Sequence, residues 1–233
     1  MSLTLRRPAP ASAPASGHRL AALSPLDQVR AGRRPRRVAQ LFAGLALYGF
    51  SMAMMVRGDL GLPPWDVFHY GVARHLPLSF GEVVVLTSFG VLLLWVPLRQ
   101  WPGFGTIANS LVIGVVADLG LAALPTPHLL VTRIGLLVGG VLLNGLAGAL
   151  YIGSQFGPGP RDGLMTGLVR RSGLTVRLVR TSLEVAVLAV GWLLGGTVGL
   201  GTVLYALTIG PLVHLLLPRL TVPLPVERPV PGS

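Results

Sequence analysis

The sequence predicts an all-α membrane protein of about six transmembrane helices, built as two inverted three-helix repeats, each with a short broken or re-entrant helix. Three observations lead there. The chain is 52% hydrophobic and only 12% charged, with a mean hydropathy of +0.69, well above an ordinary soluble domain. Its apolar residues come in long blocks. The sequence also repeats itself at an interval of 96 positions without a gap: 23 of the 83 residues from 37 to 119 are identical to their counterparts in 133–215, where composition alone would give roughly 8.

Taken in order, residues 1–36 are rich in Pro, Ala, Ser and Arg and lack an apolar period, so they are expected to form a disordered cytoplasmic tail. Arg33, Arg34, Arg36 and Arg37 resemble a twin-arginine export signal, but the following span is long and no small-residue cleavage site stands at the usual distance. We read them as an orientation signal. Repeat 1 covers 37–124, with spans at about 38–56, 82–98 and 106–124; repeat 2 covers 125–217, with spans at about 129–152, 179–194 and 201–217. Each is read as long enough to cross about 30 Å of hydrocarbon at 1.5 Å per residue. Residues 218–233 contain five prolines and are expected to be an extended tail.

Three spans per repeat force the second copy to enter the membrane from the opposite side. Arginine positions give the direction. With the N-terminus inside, 16 of the 19 arginines fall on the cytoplasmic side and only Arg57, Arg74 and Arg133 outside. That is the pattern of a bacterial cytoplasmic (inner) membrane protein with both termini in the cytoplasm. All basic residues are arginine and they flank apolar spans, so the net charge of +11 does not point to nucleic acid. There is no cysteine, hence no disulfide framework and no thiolate metal site.

Between the first and second spans of each repeat lies a stretch too short to cross, 61–71 and 157–167. Proline suits a first helical turn, so a short helix is expected to begin at Pro64 and at Pro160. Asp66 and Asp162 then sit in that turn, where a carboxylate can cap free N–H groups and match the positive dipole end. The functional reading makes the two segments re-entrant half-helices whose ends and carboxylates line a central site. The third span of each repeat opens with Gly103-Phe-Gly-Thr106 or Gly199-Leu-Gly-Thr202. Here glycines permit a tight turn and Thr106 or Thr202 caps the helix; an anion could also use the free N–H groups. Asn109 aligns with Tyr205, so polar contacts at this level are asymmetric.

Arg177, Arg180, Thr181 and Glu184 recur at i, i+3, i+4 and i+7, one polar stripe running into the fifth span. A carboxylate within a span is costly and faces protein or water, so Glu184 is either paired with Arg180 or a proton-coupling group. Asp118, aligned with His214, is expected near the interface. His69, His75 and His128 have no metal-ligand spacing. Glycines four apart, Gly135/Gly139, Gly191/Gly195 and Gly195/Gly199, suit close helix packing within the bundle or in a homodimer. No nucleophile elbow, zinc motif or nucleotide loop occurs, which makes an enzyme the weaker class.

With Pro64-Trp65-Asp66, the string Gly159-Pro160-Arg161-Asp162-Gly163-Leu164-Met165, the Arg177/Arg180/Glu184 stripe and Gly201-Thr202 through Gly210-Pro211, the chain resembles the YczE branch of the YczE/YyaS/YitT membrane proteins of bacteria over about 38–217. That resemblance implies an uncharacterised multi-pass inner-membrane protein and carries over no substrate, reaction or catalytic residue.

The sequence therefore points to a small transporter or permease-like protein for an unknown small solute. The candidate binding residues are Asp66, Asp162, Arg161, Arg180, Glu184, Thr106, Thr202 and Asn109. The rival is a non-transporting membrane factor that assists assembly or regulation of a partner complex. Expected partners are the lipid bilayer, the solute and a second copy; no cofactor, metal or nucleic acid is expected.

Overall fold

The computed structural model describes residues 24–224; what the sequence predicts for 1–23 and 225–233 lies outside the described residues. Among those described, the chain forms α1 (Pro25–Arg30), α2 (Arg34–Gly58), α3 (Pro64–Ala73), α4 (Phe80–Trp95), α5 (Phe104–Ala123), α6 (Leu130–Gly153), α7 (Pro160–Ser172), α8 (Val176–Leu193) and α9 (Leu200–Leu220), with no strand. The helices α6, α7, α8 and α9 begin 96 residues after α2, α3, α4 and α5, so the sequence interval is also the interval of the helix starts. Four helices, α2, α5, α6 and α9, are long and apolar enough to cross a membrane, and α4 is a shorter apolar helix of 16 residues. The protein is an integral membrane protein.

Local chemistry sets these starts. Proline occupies the first turn of both α3 and α7. At α4, the Ser79 hydroxyl accepts from Glu82 N–H while Glu82 accepts from Ser79 N–H at 2.7 Å, a capping box. At α5 and α9 the cap residue is glycine, so the threonine three residues on reaches back alone: Thr106 Oγ1 accepts from Gly103 N–H and Thr202 Oγ1 from Gly199 N–H, both at 3.2 Å. Thr106 also donates to the Pro158 carbonyl at 2.8 Å, tying the start of α5 to the segment before α7.

The turns after α2 and α6 match residue for residue. Asp59 (φ 47°) and Gln155 (φ 59°) are left-handed, and Gly61 (φ 115°) and Gly157 (φ 109°) hold a conformation that glycine adopts readily and other residues rarely do. Each turn receives a backbone bond from the other repeat. Gly105 N–H donates to Phe156 O at 2.9 Å, and Gly201 N–H to Leu60 O at 2.8 Å.

Two arginines cross between the halves in the same way. Arg37, fully buried near the start of α2, donates to the carbonyls of Ser154 and Gln155 past the end of α6, both at 2.8 Å, and lies 4.2 Å from the Phe156 ring centre. Arg133, near the start of α6, donates to the carbonyls of Gly58 and Asp59 at the end of α2 and pairs with the Asp59 carboxylate at 3.0 Å. The two longest helices are thus antiparallel and clamped at both ends.

Other bonds sort the remaining ends. The starts of α2 and α5 meet the ends of α6 and α9, through Gln40 to Leu220 O, Gly105 N–H to Phe156 O and Val222 N–H to Gly153 O. The opposite pole gathers the starts of α4, α6 and α9 with the ends of α2, α3, α5 and α8. Between the poles, Leu41, Leu45 and Met52 of α2 form the main core with Phe80, Val84, Ile113, Ala117 and Tyr151.

Three expectations change. Residues 25–30, assigned to a disordered tail, form α1, whose Gln28 is buried, and α2 begins within the arginine cluster at Arg34, four residues earlier than expected. Pro218, assigned to the extended tail, lies inside α9. Of the glycine pairs, Gly191 does serve close packing, since a Cβ there would lie 2.4 Å from Phe68 N, whereas Gly135 has open space around it.

Candidate functional site

The short proline-started helices α3 and α7 bring polar side chains to the spaces between the long helices. Asp66 and Asp162 are each the third residue of a proline-started helix, and neither caps a backbone N–H group. Each carboxylate binds a side chain in place of a backbone N–H, while its position in the first turn still matches the positive dipole end. Asp66 is buried and sits 3.3 Å from His69 Nδ1, one turn along α3. Asp162 accepts a 2.7 Å hydrogen bond from the Tyr151 hydroxyl of α6. Next to it, Arg161 Nη2 donates to the Tyr48 hydroxyl of α2 at 2.8 Å.

Two cavities meet at this cluster, with Tyr48, Trp65, Tyr151, Arg161 and Asp162 lining both. The smaller, about 60 Å³, extends toward α3, α4 and α5 past Asp66, His69, Ser88 and Asn109. That is room for a few waters. The larger, about 300 Å³, extends between α6, α7, α8 and α9 past Asn144, Arg180, Glu184 and His214. It is large enough for a small solute.

A buried polar chain runs behind Asn144 and Tyr48, which line the larger cavity. The Tyr205 hydroxyl donates to Asn144 Oδ1 at 3.1 Å, Asn144 Nδ2 donates to Ser51 Oγ at 2.8 Å, and Ser51 donates to the Tyr48 carbonyl at 2.6 Å. Across the cluster, Trp95 Nε1 donates to the Pro160 carbonyl at 3.0 Å and its ring fills the space beside Gly163, which fixes the start of α7 against the end of α4.

Of the residues expected from sequence, Asp162 and Arg161 stand where the cavities join. Asp66 and Asn109 line only the smaller cavity; Arg180 and Glu184 line only the larger. Arg180 Nε donates to Glu184 Oε1 at 3.2 Å, the structural pairing of the two alternatives, with the Glu184 side chain 38% exposed. Thr106 and Thr202 line neither cavity: both are buried at helix starts, where their hydroxyls satisfy backbone groups. Asp118 accepts from Gly81 N–H at 2.7 Å and from the Ser79 hydroxyl, holding the start of α4 to α5. Among the described residues no group of three or more His, Asp or Glu side chains could hold a metal ion.

Sequence reasoning missed Tyr48, Tyr151, Asn144, Tyr205 and His214. One signal could have found three of them. Tyr48 and Asn144 are counterparts at the 96-residue interval, as are Asn109 and Tyr205, and such pairs of polar or aromatic residues stand out in otherwise aliphatic spans. Trp65 and Arg161 are also counterparts, so the centre carries one cationic and one aromatic member at matching places.

Comparison with known proteins gives the family. A family model described as "Family of unknown function (DUF6198)" matches residues 35–218. An uncharacterized protein of Haemophilus influenzae is 38% identical over 78% of this chain and 84% of its own length. The uncharacterized membrane protein YczE of Bacillus subtilis is 33% identical over 76% of this chain and 84% of its own, and the uncharacterized protein YyaS of the same organism 25% identical over 75% and 89%. No solved structure matches significantly. The chain belongs to the DUF6198 family and is of the YczE type.

Proposed function

We propose that this DUF6198 member is a small inverted-repeat transporter, permease-like, that carries a small solute past the Arg161–Asp162 junction. Six helices, α2, α4, α5, α6, α8 and α9, cross the bacterial inner membrane, and both termini lie in the cytoplasm. The observation that carries this reading is the pair of cavities, each lined by charged and polar side chains among apolar ones, that meet at the acid-bearing start of the short helix α7. Broken segments at matching places of two repeats are where transporters of this kind hold substrate. The crossed Arg37 and Arg133 clamps and the antiparallel α2 and α6 support the inverted arrangement. Arginine placement supports its direction.

Because the chain has no cysteine, single-cysteine variants give a test that needs no known solute. Met165→Cys in the larger cavity and Ser88→Cys in the smaller are each expected to react with an impermeant maleimide from both sides of a vesicle, at unequal rates that Asp162→Asn changes. One-sided reaction at both positions, indifferent to Asp162→Asn, would favour the factor that assists a partner complex. In liposome uptake with labelled amino acids, carboxylates and sugars, Asp162→Asn should lower flux at least tenfold, Asp66→Asn less, and Glu184→Gln least, since its ion pair is half exposed. Unchanged flux in all three would remove the site. A reporter fused beside Arg171 is expected to read as cytoplasmic, and a periplasmic reading would overturn the inverted arrangement.

A further inference from the structure

The two repeats differ most at one seam. In the first, α4 and α5 touch backbone to backbone: a Cβ on Gly81 would lie 2.1 Å from Gly114 O, and one on Gly114 would lie 2.4 Å from Gly81 O. At the corresponding places of the second repeat stand Arg177 and Gly210, and the Asp118 carboxylate that binds Gly81 N–H is replaced by His214. An arginine side chain where a glycine is needed prevents the same approach. Accordingly α8 and α9 do not pack closely on each other, and a Cβ on Gly210 would meet nothing within 4 Å. Arg180, Gly210 and His214 are exposed and line the slot-like space between the two helices, and Arg177 and Thr181 are exposed on the same helix α8.

Behind the slot lies the larger cavity, with Arg180, Glu184, Gly210 and His214 toward its mouth and Arg161 and Asp162 at its inner wall. The outer faces of α8 and α9 carry exposed Leu178, Val185, Leu207 and Leu215. In a bilayer, an opening between two such helices faces acyl chains. The charges inside are unevenly used. Glu184 is paired with Arg180 and Asp162 is bonded by Tyr151, but Arg161 has no carboxylate within 4.0 Å and gives one N–H to Tyr48. A guanidinium has five donors in a fork that suits phosphate oxygens, and Arg161 spends a single donor on Tyr48.

We propose that the α8–α9 slot admits a phospholipid-type amphiphile from within the membrane. Its phosphate pairs with Arg161 in the larger cavity while its tails lie along the apolar faces of α8 and α9. This rests on the transport reading of the same cavity and names its substrate class. The head group alone is shared with free phosphates, so the test separates the two sources.

The full-length protein in micelles would be titrated with dioleoylphosphatidylglycerol, with dioleoylglycerol, which lacks the phosphate, and with glycerol phosphate, which lacks the tails, and binding read by native mass spectrometry. Dioleoylphosphatidylglycerol should bind at least tenfold more tightly than either of the others. Arg161→Gln should lower that binding at least tenfold and Arg161→Lys less. Gly210→Trp, at a position where a Cβ meets nothing within 4 Å, should lower it similarly by filling the slot. Equal binding by Arg161→Gln, or equal binding of the phosphate-free lipid, would overturn the proposal. So would tight binding of glycerol phosphate alone, or Gly210→Cys cross-linking that shows a second copy seated in the slot. Two-sided cysteine labelling without Arg161-dependent lipid binding would remove the lipid and leave transport standing; lipid binding with one-sided labelling would do the reverse.

Discussion

Replacing Arg37 with alanine is expected to destabilise the solubilised protein by about 3–5 kcal/mol, read as a fall of roughly 10 °C in its thermal midpoint. The side chain is fully buried and donates to two carbonyls of the turn after α6, with a third bond to Ala31 O at 3.3 Å. Alanine strands those acceptors, removes the stack on Phe156 and leaves a void. Arg37→Lys should recover part of the loss, since an ammonium cannot reproduce the fork. Its counterpart Arg133 is partly exposed, so Arg133→Ala should cost clearly less. Equal effects at both positions would mean that burial does not decide the strength of the clamps.

A second large effect separates two glycines that the repeat treats as equivalent. Gly114→Ala places a Cβ 2.4 Å from the Gly81 carbonyl oxygen, and backbone cannot step aside as a flexible side chain can. Overpacking of this kind costs roughly 1–3 kcal/mol or more, and α4 is expected to separate from α5. Gly210→Ala meets nothing and should be neutral or gain up to about 1 kcal/mol from helix propensity. Thermal midpoints of the two variants decide the matter. If Gly210→Ala were the more damaging, α8 and α9 would close on each other as α4 and α5 do, and the slot would not exist.

The site was partly legible because two kinds of signal survive in a linear chain. Proline followed by an acid fixes where a helix starts and which residue sits in its first turn, so α3, α7, Asp66 and Asp162 could be named. The i, i+4 spacing of Arg180 and Glu184 foretold their ion pair. The carboxylates' partners could not be named in this way. His69 is one turn from Asp66 on the same helix, but Tyr151 reaches Asp162 only because the chain turns back after α6, so that the start of α7 lies beside the last turn of α6. Thr106 and Thr202 looked like site candidates for the same reason that they are structural ones: a hydroxyl at a helix start binds backbone before it binds anything else.

By itself the sequence determined the class, through hydropathy, and the helix register, through the 96-residue repeat, because both depend on composition and spacing that need no long-range contact. Only the tertiary structure decided which residues share the centre. Tyr48, Tyr151 and Arg161 lie on three different helices and meet only when α2 and α6 are clamped antiparallel. It also decided where the repeats part. Gly81 and Arg177 occupy matching positions, and the absence or presence of one side chain closes the first seam and leaves the second open over the larger cavity.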